Sequence, residues 1–123
     1  MQLVTHLMFQ NGKAAEAAEF YATLADDAEL TRTPVPGGGE TLRVRLAGHE
    51  LLVFESPMQH DFDMTPAVSL MVEVDTPEEV DGLFERLADG GEVFMPVDDY
   101  GFSPRYGWCR DRFGMSWQIG ARA

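Results

Sequence analysis

An internal repeat is the feature that most restricts how this chain can fold. Leu24-Ala25-Asp26 closes a helical stretch and returns as Leu87-Ala88-Asp89, 63 positions later (24 to 87). At the same offset Met8 meets Met71, Glu16 meets Glu79, and Phe20-Tyr21 meets Leu83-Phe84. Two copies of a unit this long indicate duplication of a half-domain, not a solenoid built from many short repeats.

Local signals give both copies the same element order. In the first, the apolar run Leu3 to Phe9 reads as a strand, broken by Asn11-Gly12. Lys13 to Ala25 follows with Ala14, Ala17, Ala18, Tyr21, Leu24 and Ala25 at helical spacing. A short strand is expected at Ala28 to Pro34, then a Pro- and Gly-rich loop. Thr41 to Leu46 alternates as a strand, Ala47-Gly48-His49 is a hairpin turn, and Glu50 to Glu55 runs back. In the other copy, Ala67 to Val74 is the first strand. Thr76-Pro77-Glu78-Glu79 then carries the residues of a capping box with Pro at the first helical position. Val80, Leu83, Phe84, Leu87 and Ala88 form that helix's apolar stripe, and Gly90-Gly91 ends it. Glu92 to Pro96, Arg105 to Arg110 and Met115 to Ile119 supply three more strands. The predicted fold is therefore α+β, with two tandem βαβββ modules in one domain. Module one spans about 1–56, a connector 57–66, and module two about 67–123.

Strand side chains alternate between faces, so each helix stripe must bury one parity of its sheet. Leu7 and Phe9, Leu52 and Phe54, Leu70 and Val72, and Trp117 and Ile119 are expected beneath the helices. The other parity then carries His6 and Met8, Val53 and Glu55, Ser69 and Met71, and Ser116 and Gln118. Set side by side, the modules would form a curved mixed sheet around a cavity. His6, Glu55, Ser69 and Gln118 would sit at equivalent points in it, because 6 and 69 keep the same offset as 55 and 118.

Composition narrows the partners. With 9 basic and 21 acidic residues the net charge is −12, which argues against binding a phosphate backbone. One Cys makes no internal disulfide, no apolar run approaches the length of a membrane span, and no basic-then-apolar leader opens the sequence. The expectation is a cytoplasmic protein that binds neither nucleic acid nor membrane.

Two stretches carry a resemblance to a known family: Ala14-Ala15-Glu16-Ala17-Ala18-Glu19-Phe20-Tyr21, and Gly107-Trp108-Cys109-Arg110-Asp111-Arg112-Phe113-Gly114-Met115-Ser116-Trp117-Gln118. The latter stretch is similar to the closing Gly-Trp…Asp-Lys-Phe-Gly…Trp-Gln signature of the PhnB-like family. That family lies within the vicinal oxygen chelate superfamily, with glyoxalase I, the extradiol dioxygenases and the bleomycin-resistance proteins. The resemblance spans essentially the whole chain. It implies paired βαβββ modules, a barrel-like cavity, a homodimer and a small-molecule ligand. In metal-dependent members the ligands come from the first and last strands of each module. His6 falls on the first ligand position and Glu55 near the next, while Ser69 and Gln118 replace a His and a Glu.

The candidate chemistry follows. His6 and Glu55 are the expected catalytic pair, an imidazole that titrates near neutrality beside a carboxylate that orients it. His6, Glu55 and Gln118 are the candidate ligands of a divalent metal ion, a thin set because catalytic zinc takes three strong ligands and an open position. His60 would add an imidazole if its loop folded inward. Arg43, Arg45, Ser69, Tyr106, Trp108 and Gln118 are the expected substrate-binding residues, guanidiniums and aromatics that suit an anionic or planar ligand. Tyr100 and Phe102 are placed for a lid. Gly37-Gly38-Gly39-Glu40 lacks the Lys and helix of a phosphate loop, and no Gly-rich strand-to-helix turn supports a nucleotide or methyl-donor fold. Three functions fit: a lyase-, isomerase- or dioxygenase-type enzyme, a drug-sequestering protein of the bleomycin-resistance type, or a structural dimer module with a vestigial site.

Overall fold

The computed structural model describes residues 1–122. The chain divides into two compact units, Met1–Asp63 and Met64–Ala123. Unit one runs β1 (Thr5–Phe9), α1 (Ala14–Tyr21), β2 (Glu29–Pro34), β3 (Glu40–Leu46) and β4 (His49–Glu55). Unit two runs β5 (Leu70–Val74), α2 (Pro77–Ala88), β6 (Glu92–Asp98), β7 (Tyr106–Arg110) and β8 (Ser116–Ala121). Each is the βαβββ plan read from the repeat. Their four-stranded mixed sheets have the orders β1-β4-β3-β2 and β5-β8-β7-β6. In both, the first strand pairs parallel with the last and the remaining pairs are antiparallel. No helix among the described residues is long and apolar enough to cross a membrane.

Helix α2 begins where the capping signal placed it. The Thr76 hydroxyl accepts from the Glu79 N–H at 3.4 Å and donates to Glu79 Oε1 at 2.9 Å, and Pro77 sits in the first turn. Val80, Phe84 and Leu87 are buried against the sheet, and Gly90 takes up the left-handed backbone beyond the end at φ 75°. Helix α1 is shorter than its periodicity suggests and stops at Tyr21, not Ala25. The Thr23 hydroxyl and N–H both donate to the Phe20 carbonyl, at 2.6 and 3.0 Å, so the chain turns locally instead of adding another helical turn.

The core of unit one corrects the parity expected for β4. Leu51 and Val53 are buried, whereas Leu52 is half-buried and Phe54 is 41% exposed. The register explains this. Leu7 pairs with Val53 and His6 with Leu52, so Leu52 and Phe54 share the face of His6, and Glu55 shares the face of Phe9 and α1. In unit two the expected parity holds: Leu70 pairs with Trp117 and Val72 with Ile119, on the α2 side. Trp117, Ile119 and Cys109 are buried there.

The repeat is therefore not gapless. Leu7 and Leu70 keep the offset of 63 residues (7 to 70), but their partners Val53 and Trp117 stand 64 apart (53 to 117). The hairpins differ further. Ala47 and Gly48 join β3 to β4 in a two-residue turn with φ of 51° and 78°, the positive pair that a tight hairpin needs. Five residues, Asp111 to Met115, join β7 to β8. The buried Asp111 organises them. Its Oδ1 accepts from the N–H groups of Phe113 and Met115 at 2.9 and 3.0 Å, and its Oδ2 from the Trp117 indole at 2.8 Å.

Candidate functional site

Each sheet has one face under its helix and one turned away from it, and the candidate residues divide between these faces. On the open face of unit one, His6 packs its ring against Phe54, centroids 5.4 Å apart. Arg43 and Arg45 lie on the same face as expected, since Arg43 pairs with Leu52 and Arg45 with Glu50. Both guanidiniums approach the carboxylate of Glu50, at 4.0 and 3.7 Å, so part of their charge is met within the sheet.

Glu55 does not join His6. Its side chain faces α1, where one carboxylate oxygen accepts from the Gly12 N–H at 2.9 Å and the other from the Ala14 N–H at 3.0 Å. Lys13 caps that helix position with no side-chain hydrogen bond, so the carboxylate answers the unpaired N–H groups and the positive end of the helix dipole. The catalytic pair expected from the repeat is separated by the sheet itself. A one-residue difference in register turns a strand side chain to the other face, and that is what happens here.

The second unit brings its candidates together. Tyr106, Trp108, Ser69 and Gln118 share the open face with Ser116, which is not among the binding residues expected from the sequence, in one hydrogen-bonded chain. The Tyr106 hydroxyl donates to Gln118 Oε1 at 2.5 Å, and Gln118 Nε2 donates to Ser69 Oγ at 3.2 Å. Ser69 and Ser116 share a hydrogen bond of 2.7 Å between their hydroxyls, and the Trp108 indole donates to Ser116 Oγ at 2.8 Å. The register accounts for the assembly, with Met71 opposite Gln118, Gln118 opposite Trp108, and Tyr106 opposite Gly120. Burial, then the proximity of Tyr100, raises the Tyr106 phenol above its ordinary value, so it remains a neutral donor.

The aromatic loop residues adjoin this network. Phe102 is 62% exposed, its ring 4.9 Å from Tyr106 at 74°, and Tyr100 stacks on Phe102 at 6.2 Å and 16°. A cavity of about 240 Å³ opens between Met71, Glu73, Phe102, Tyr106 and Gly120. A larger hollow of about 670 Å³ runs along α2, lined by the charged Asp81, Glu85, Arg86 and Asp89 together with Phe84, Ala88 and Val97, and it touches none of the networked residues.

The donors do not fit a metal ion. Glu55 is committed to backbone N–H groups on the helix side, and Gln118 gives its carbonyl oxygen to Tyr106. His60 is held in its own loop, with Nε2 2.9 Å from Ser56 Oγ and its ring stacked on Phe62 at 4.8 Å. Among the described residues, no group of three or more His, Cys, Asp or Glu side chains converges. Cys109 is buried, and desolvation followed by the charge of Asp111 pushes its thiol up to about 12, which leaves no thiolate nucleophile near neutral pH.

Two βαβββ units, each with its parallel outer pair and its helix on one face, define the glyoxalase/bleomycin-resistance fold of the vicinal oxygen chelate superfamily. Residues 1–120 match the family model described as 3-demethylubiquinone-9 3-methyltransferase. The PhnB protein of Bacillus cereus is 36% identical, with 99% of this chain and 100% of that one covered and a TM-score of 0.90. Protein PA1353 of Pseudomonas aeruginosa is 26% identical over 99% of this chain and 98% of its own, at a TM-score of 0.84. FosX of Listeria monocytogenes, a fosfomycin resistance protein solved with Mn(II) and sulfate, shares the fold at 15% identity and a TM-score of 0.62, with 100% and 92% covered. No curated protein matches this chain in sequence. The chain belongs to the PhnB-like 3-demethylubiquinone-9 3-methyltransferase family.

Proposed function

We propose that this protein binds a small molecule on the open face of its second unit, through neutral hydrogen-bonding groups and not through a metal centre. The observation that supports this best is the continuous chain from Tyr106 through Gln118, Ser69 and Ser116 to Trp108. Ser69, Gln118 and Trp108 reach solvent in part, each oriented by the buried Tyr106 or Ser116, and beside the exposed ring of Phe102 they make a surface already organised for hydrogen bonding and stacking. Organised donors lower the ordering cost that a ligand would otherwise bear. Binding, not proton abstraction, is the reading that fits unit one as well, where His6 has Phe54 at its side and Glu55 is turned away. The family description names a methyltransferase, yet the chain lacks the glycine-rich strand-to-helix turn that holds a nucleotide-bearing methyl donor.

A fragment screen against the isotope-labelled full chain tests this, with a library of small neutral oxygenated aromatics and carboxylic acids. Binders are expected to move the indole N–H signal of Trp108 and the side-chain amide of Gln118. Gln118→Ala is expected to weaken them roughly tenfold, the loss of about one good hydrogen bond. A screen in which no compound moves either signal, with the protein folded, overturns the reading.

A further inference from the structure

Unit two holds a feature that the hydrogen-bonded chain does not use. Along the open face, Glu73 on β5, Gly120 on β8 and Tyr106 on β7 lie side by side, because Glu73 pairs with Gly120 and Gly120 with Tyr106. The middle residue has no side chain. Tyr106 leans over that position, its Cδ2 3.4 Å from where a Cβ would stand, so its ring lies against the strand next to the one that carries Glu73. This is the floor of the 240 Å³ cavity, whose other walls include Phe102 and Met71. Tyr106 is 4% exposed and packs edge-to-face with Phe102 at 74°, so it braces Phe102, whose exposed ring is the aromatic wall of the notch. Tyr100 stacks behind Phe102 and is tied down by its own hydroxyl, which donates to the Pro96 carbonyl at 2.6 Å. Arg122 also borders the notch, but its guanidinium is paired with Asp75 at 2.6 Å. Glu73 has no ion pair or hydrogen bond among the described residues, so it is the charge left uncompensated there.

We infer that this notch takes a small organic ammonium ion, held by the exposed ring of Phe102 and by the carboxylate of Glu73. Aromatic faces attract a cation through their quadrupole, most strongly where water is partly excluded. A nearby carboxylate adds direct attraction, and Met71 supplies a polarizable apolar surface for methyl groups. The proposal rests on the reading that this face binds small molecules and names the chemical class for the end of the site nearest Gly120.

The probes are choline and its uncharged isostere 3,3-dimethylbutan-1-ol, each titrated into the full chain while the amide signals of Phe102, Tyr106 and Gly120 are followed. Choline is expected to bind roughly tenfold more tightly than the alcohol. Glu73→Gln, a surface change, should bring the two ligands level. Phe102→Leu removes the aromatic ring from an exposed position and should abolish the choline shifts while the remaining signals stay dispersed. Equal binding of both probes to the unaltered protein overturns the ammonium assignment and leaves small-molecule binding standing. So does silence toward choline when neutral fragments still move Trp108. Choline binding that survives in both variants places the cation elsewhere and overturns the notch. If neither the probes nor the fragments move any signal on this face, both readings fall.

Discussion

The two units follow one plan, but they secure it differently. In unit two the fastenings are local: Thr76 caps α2 from the adjoining position, and Asp111 ties the β7–β8 turn from within it. In unit one they are remote or minimal. Helix α1 is capped by Glu55, 41 residues from Ala14, and β3 joins β4 through two left-handed residues. The difference decides what each open face has left to offer. Unit one uses its carboxylate at a helix end and leaves His6 beside Phe54. Unit two builds its fastenings on the helix side and keeps a row of polar groups on the other. Duplicated halves can thus share a fold while one open face carries an ion-paired cluster, Arg43 and Arg45 about Glu50, and the other a neutral hydrogen-bonded row.

The contrast can be broken most forcefully at Gly91. A Cβ there would lie 1.9 Å from the Arg110 carbonyl oxygen, backbone that cannot yield without parting β6 from β7. Gly91→Ala is expected to cost on the order of 4 kcal/mol or more, seen as loss of the cooperative urea transition of unit two. Asp111→Ala comes next. It leaves two backbone N–H groups and an indole N–H without their acceptor, at roughly 3 kcal/mol in denaturant unfolding. A variant as stable as the parent would show that the long turn does not depend on its carboxylate.

Capping sharpens the contrast on a smaller scale. Glu55→Ala and Thr76→Ala should each cost about 1 kcal/mol, the first through a remote cap and the other through a local one. Retained stability in Glu55→Ala would make that carboxylate available for function again. Alkaline pH should act on unit two. Tyr106 and Cys109 both have folded pKa values above their ordinary ones, so the folded state holds more protons than the unfolded state once pH passes the ordinary thiol value. Stability should fall from about pH 8.5 as pH rises toward 12, and Cys109→Ala should flatten part of that fall in melting experiments. The smallest effect belongs to unit one. Ala47 holds φ at 51° where a left-handed backbone disfavours a Cβ, and Ala47→Asn should add about 0.5 kcal/mol.

How far the sequence is legible depends on how clearly its alternation is written. Strand β8 reads Ser116-Trp117-Gln118-Ile119, polar and apolar in turn, and its faces follow from that pattern as the structure has them. Strand β4 reads Leu51-Leu52-Val53-Phe54, apolar at both parities, so hydrophobicity cannot choose a face. A gapless repeat then decides the matter, and the one-residue difference between units reverses the answer. A further signal is present at Asn11-Gly12-Lys13, where a helix starts without a capping side chain at Lys13 and so calls for an acceptor from elsewhere. The hydrogen-bonding residues of unit two are legible because they sit on well-alternating strands. Ser116 falls on the right face by alternation, but only register shows that a serine stands between Ser69 and Trp108.

The opposed positions of the two tryptophans have a practical consequence. Trp108 stands on the open face and Trp117 is buried beneath α2, on opposite sides of the same pair of strands. They are the only two in the chain. Their indoles differ in polarity of surroundings and in hydrogen-bond acceptor, a serine hydroxyl for one and a carboxylate for the other. With Trp117→Phe or Trp108→Phe in turn, emission from the remaining indole becomes a built-in optical gauge. One version reports what touches the face, and the other whether the core beneath it is intact.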